Sequence, residues 1–102
     1  MGIMDRERQI AAKCREALQA DGIKDKFSFL ILVAMAWDKT VTFEWACDAM
    51  AAGYRERFKD IQDVRTHIAY TLLKAGIEPP TVEEYFTRKV KEVLAHESKT
   101  DL

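Results

Sequence analysis

Phe27-Ser28-Phe29-Leu30-Ile31-Leu32-Val33-Ala34-Met35-Ala36-Trp37 is apolar at every position but Ser28. A helix over this run has no polar stripe, so it must be covered on all sides. At about 1.5 Å per residue it spans roughly 17 Å, well short of the ~30 Å of a bilayer core. Asp25, Lys26, Asp38 and Lys39 bracket it with charge. The run therefore predicts the central helix, about 26–38, of a compact all-α five-helix bundle, and no membrane span.

Working outward, the remaining chain supplies four amphipathic helices. The first runs from about Met4 to Ala20, with Ile3, Ile10, Cys14, Ala17 and Leu18 on one face and Gly22 as its left-handed cap. Asp25 caps the central helix. Lys39 to Thr42 is a short connector, able to hold an extended stub, and Thr42 caps a third helix over Phe43 to Phe58. On that helix Phe43, Ala46, Cys47, Met50, Tyr54 and Phe58 form the main stripe. Trp45, Ala49 and Ala52 fall on nearly the opposite side. Two apolar faces on one helix mean a sandwiched position or an exposed, adhesive surface.

Asp60 caps the fourth helix, whose core stripe is Ile61, Val64, Ile68, Leu72 and Ala75. Gly76-Ile77 reads as a Schellman ending, with Ile77 folding back on Leu72 or Leu73. Pro79-Pro80 is a stiff break. Thr81-Val82-Glu83-Glu84 matches a capping box for a fifth helix reaching about His96 and burying Val82, Tyr85, Phe86, Val90, Val93 and Leu94. Residues 1–97 thus read as one helical domain, and 98–102 as a polar, mobile tail.

The composition supports a globular chain. With 48% hydrophobic and 32% charged residues in 102, it can close one core without staples. Its formal net charge of −1 gives no general pull towards nucleic acid or anionic lipid, so any such partner needs a local patch. Cys14 and Cys47 lie on apolar stripes and read as small buried hydrophobes. The first residues carry alternating charges without an apolar leader core, which makes the cytoplasm the expected compartment.

No catalytic motif is legible. The serines are Ser28 and Ser98, the four glycines are dispersed, and no His-Glu-x-x-His or phosphate-cradling loop occurs. Glu92 and His96 lie one turn apart and read as a solvated pair. The expectation is a non-enzyme, with no metal and no cofactor. The best polar constellation is Asp63, His67, Tyr70 and Lys74, which recur along one stripe of the fourth helix. Asp63, one turn below His67, is expected to favour the imidazolium.

Two functions follow. The first is a small protein that binds another protein, or a second copy of itself, stoichiometrically as an adaptor, inhibitor or accessory regulator. Its contacts would be Trp45, Ala49, Ala52, Asp63, His67, Tyr70 and Lys74; Trp is the residue most enriched at binding hot spots. The second rests on the order of elements from Phe29 to Ile77. An apolar helix, Thr40-Val41-Thr42-Phe43, a second helix and then Gln62 to Ala75 resemble the three-helix core of winged-helix domains. That resemblance implies a recognition helix with Gln62, Arg65, Thr66 and His67 facing a DNA groove, and Arg55, Arg57, Lys59 and Lys74 on phosphates. The chain departs from the pattern after Ile77, where no wing follows, and between Gly53 and Lys59, which reads as continuous helix. From Arg55 to Lys74 there are five basic and three acidic residues, a thin surplus for binding driven by counterion release.

Overall fold

The computed structural model describes the backbone of residues 3–78 and 81–100, and the side chains of residues 5–78 and 81–95. Five helices follow one another: α1 (Ile3–Ala20), α2 (Lys26–Trp37), α3 (Phe43–Gly53), α4 (Ile61–Lys74) and α5 (Val82–Thr100). Among the described residues there is no strand, and the chain is an all-α bundle. α5 packs against all four other helices, while α2 packs against α1, α3 and α5.

The ends of the helices follow their residues. Asp25 accepts from Ser28 N at 2.8 Å, Thr42 from Trp45 N at 3.0 Å, Asp60 from Asp63 N at 3.0 Å and Thr81 from Glu84 N at 3.0 Å. Each oxygen thereby satisfies one of the orphan donors of a first turn. Gly22 and Gly76 take φ of 82° and 79°. Behind them Ile23 N bonds Leu18 O at 2.9 Å and Ile77 N bonds Leu72 O at 3.0 Å, the long bond of a Schellman ending. The Lys39–Thr42 connector is a turn, closed by Thr40 N and Oγ1 donating to Asp38 Oδ1 at 2.9 and 2.8 Å.

The core takes Ile10, Cys14 and Leu18 from α1, Ile31 and Leu32 from α2, and Phe43, Ala46, Cys47 and Met50 from α3. Val64, Ile68 and Leu72 come from α4, and Tyr85, Phe86 and Val93 from α5. Among the described residues Ser28 is the one buried polar residue, and its hydroxyl donates to Asp25 Oδ2 at 2.9 Å. The outer side of α2 is covered by side chains rather than by helices. Arg15 lies 4.7 Å from the Phe29 ring and Arg6 lies 4.7 Å from that of Trp37, while Leu30 stays partly open. The guanidinium groups of these arginines lie over rings that a further helix would otherwise cover.

Two boundaries differ from the sequence reading. α3 stops at Gly53 instead of running to Phe58, because Tyr54 leaves the helical region (φ −126°, ψ 55°) and Arg57 N and Phe58 N both turn back to Tyr54 O at 2.9 Å. This turn lets Phe58 reverse and bury edge-on against Phe27, ring centroids 4.9 Å apart. α5 continues to Thr100, so the first part of the expected tail is helical; Asp101 and Leu102 lie outside the described residues, as does the Pro79–Pro80 break.

Candidate functional site

The second apolar face of α3 is bare. Phe43, Ala46, Cys47 and Met50 are buried, whereas Trp45 is 59% exposed and Ala49 and Ala52 are exposed beside it. Among the described residues no other helix covers this face, and the α3 main stripe meets α2, α4 and α5.

On α4 the expected polar stripe separates into parts. His67 turns away from Asp63 and bonds Asp25 across the bundle, Nε2 to Oδ1 at 2.8 Å, with its ring edge-on to Phe27 and Phe58. Asp63 instead accepts from Lys59 N at 2.8 Å and so fastens the connector before α4. The expected Asp63–His67 pair is therefore absent. A helix-surface contact worth a few tenths of a kcal/mol is replaced by a partly buried tertiary one to the cap of α2. Tyr70 and Lys74 do stay outside, with Nζ of Lys74 5.4 Å from the Tyr70 ring. Leu73 joins them at 62% exposure, next to Tyr70 at 61%. Leu73 escaped the sequence reading because it neighbours the core residue Leu72; its position one helical step off the Ile61–Leu72 stripe was the available signal.

A cleft of about 490 Å³ opens beside His67, between the α1–α2 loop and the last turns of α4. Lys24, Asp25, Arg57, Tyr70 and Lys74 share its walls with His67. The fold thus brings Arg57, expected on the nucleic-acid side, together with Tyr70, expected on the protein-binding side, and with His67 and Lys74, which both readings include. Lys24 was not anticipated, since nothing in its local pattern relates it to a helix forty residues downstream.

The groove-facing set implied by the winged-helix resemblance does not assemble. Gln62 and Thr66 are exposed, but Arg65 leans over the Phe43 ring at 6.0 Å with its Nε buried and unpartnered. His67 is committed to Asp25 on the opposite side of α4. The connector that replaces the end of α3 does expose Arg55, Arg57 and Lys59 ahead of α4.

A further polar cluster went unread. Tyr85 donates its hydroxyl to Asp21 Oδ2 at 2.6 Å, and Lys89 Nζ approaches the same oxygen at 2.7 Å and Glu92 Oε2 at 3.1 Å. Burial by itself would raise the Asp21 carboxyl. The hydrogen bonds from Lys89 and Tyr85, with the charges of Lys89 and Arg88, outweigh it and hold the group below the usual carboxylate range. Burial and then Asp21 push the Tyr85 phenol up. Burial opposes the Lys89 ammonium, but Asp21 and Glu92 hold it above its ordinary value. The cluster ties the end of α1 to α5 and beside it runs a groove of about 420 Å³ lined in part by Lys13, Ala17, Lys89 and Val93.

Cys14 and Cys47 are free and buried, and burial pushes their thiols up to about 12 and about 11. Among the described residues no group of three or more His, Cys, Asp or Glu is placed to hold a metal ion, and no helix is long and apolar enough to cross a membrane. The His96 side chain of the expected Glu92–His96 pair lies outside the described residues. No protein-family model, curated protein or solved structure matches the chain.

Proposed function

We propose that the protein acts stoichiometrically, by binding another protein as an adaptor, inhibitor or accessory regulator, through the outward faces of α3 and α4. One observation supports this reading above others. Among the described residues the three most exposed large apolar side chains, Trp45 at 59%, Tyr70 at 61% and Leu73 at 62%, all lie on this one packed pair of helices. Burying an aromatic ring against a partner removes a large area at little cost in side-chain entropy, and Ala49 and Ala52 let a facing backbone approach Trp45 closely.

The test is capture of partners by the full chain, identified by mass spectrometry, with Trp45→Ala and a Tyr70→Ala/Leu73→Asp double variant alongside. The variants are expected to fold as the parent by circular dichroism and to lose the partner at least tenfold. A partner held equally by all three proteins overturns the reading. Light scattering on the parent reports whether that partner is a second copy of the chain.

A nucleic-acid-binding regulator is the second reading, favoured by the connector that exposes Arg55, Arg57 and Lys59 immediately before α4. Gel-shift binding at low salt that weakens in Arg55→Ala and Lys59→Ala would support it; absence of a shift removes it.

A further inference from the structure

The cleft beside His67 carries a local surplus of positive charge and differs from the neighbouring basic clefts in also holding His67 and Tyr70. The chain as a whole carries −1, with 17 acidic residues against 16 basic. The cleft places three cations, Lys24, Arg57 and Lys74, around a single carboxylate, Asp25. Among the described residues none of the three cations takes part in an ion pair, whereas Lys89 has two. Asp25 is the acid nearest to hand, and both of its oxygens are already engaged: Oδ2 by Ser28 N and Oγ, Oδ1 by His67 Nε2. It cannot swing out to neutralise its neighbours without uncapping α2.

The walls are also fixed in place. The His67–Asp25 contact pins α4 to the α1–α2 loop. The backbone at Arg57 is held by its N–H bonding Tyr54 O at 2.9 Å, and Lys74 Nζ lies 5.4 Å from the Tyr70 ring. Two lysines and an arginine lining one concave, partly apolar site supply the donors that suit a compact anion with several acceptor oxygens.

We propose that this cleft binds a phosphate group, held by Lys24, Arg57 and Lys74. The inference is independent of the protein-binding reading, because it requires no macromolecular partner. Arg57 supplies the bidentate contact and the two lysines supply charge from either wall. Tyr70 offers a face for whatever carries the phosphate.

The experiment is a titration of the full chain with inorganic phosphate, followed by amide chemical shifts at constant ionic strength maintained with chloride. Saturable shifts are expected at residues 22–25, at Arg57 and at residues 70–75. Arg57→Gln and Lys24→Gln, both at exposed positions, should each weaken binding about tenfold, the effect of one charge-assisted contact. Lys13→Gln, in the groove between α1 and α5, should leave binding unchanged. Phosphoserine and a nucleoside monophosphate, titrated in the same way, assign the source. A carrier that tightens binding over inorganic phosphate is the one recognised, and no tightening by either assigns free phosphate. The proposal is overturned if chloride alone reproduces the shifts, if none saturate, or if the cation variants bind as the parent does.

Discussion

Replacing Tyr85 by Phe removes one oxygen atom from the core and tests how α5 is held to α1. The Tyr85 side chain is 2% exposed, and its hydroxyl lies 2.6 Å from Asp21 Oδ2. A hydrogen bond to a charged acceptor contributes roughly 1.5–3 kcal/mol. Asp21 is 29% exposed and keeps Lys89 at 2.7 Å, so solvent and the remaining cation compensate part of the loss. The expected cost is therefore at the lower end, about 1.5 kcal/mol, or roughly 6–12 °C in thermal midpoint for a chain of this size. The pH dependence carries the sharper test. The folded-state value of Asp21 is depressed, so its contribution is present above the unfolded carboxylate range near 4 and lost as pH falls through the folded value. Lys89 and Tyr85 are raised, so their contributions are present below about 10 and lost as pH rises through their folded values. Urea unfolding of parent and Tyr85→Phe should thus differ by about 1.5 kcal/mol near neutrality, and the difference should narrow in acid once Asp21 is protonated. A difference under about 0.5 kcal/mol at neutrality, or one unchanged in acid, would refute the assignment of the bond to an ionised Asp21.

Other outcomes follow from the same geometry. Asp25→Ala removes both the cap of α2 and the anchor of His67, and should cost about 2 kcal/mol in urea unfolding, more than Asp60→Ala, which loses a cap alone at about 1 kcal/mol. Gly76→Ala meets no atom within 4 Å, so its cost is that of the positive φ by itself, about 1 kcal/mol, measurable by the same assay. With their thiols pushed up to about 12 and about 11 and both side chains enclosed, Cys14 and Cys47 should resist a thiol reagent in the native protein and react as denaturant opens the core, which absorbance at the released chromophore would follow. Leu73→Lys should leave the unfolding free energy, measured in urea, within about 0.5 kcal/mol of the parent, as expected for an exposed position.

The sequence by itself determined whatever depends on neighbours within one or two turns. The five helices, the caps at Asp25, Thr42, Asp60 and Thr81, the Schellman endings at Gly22 and Gly76 and the core stripes of α1 and α4 are all set by residues within about five positions of one another. The sequence reading missed the end of α3 where a long-range contact intervenes: the chain turns at Tyr54 and Phe58 packs on Phe27. The candidate site was decided by tertiary structure. Trp45 is bare because α3 spends its other face on three helices at once, a competition for partners that no spacing along α3 reveals. His67 bonds Asp25 across 42 positions in sequence and Tyr85 bonds Asp21 across 64, and Lys24, Arg57 and Lys74 line one cleft beside the first of these bonds. Periodicity states which side of a helix is apolar; which polar groups meet across the gaps depends on how the helices are stacked, and that is settled by the packing of the whole core.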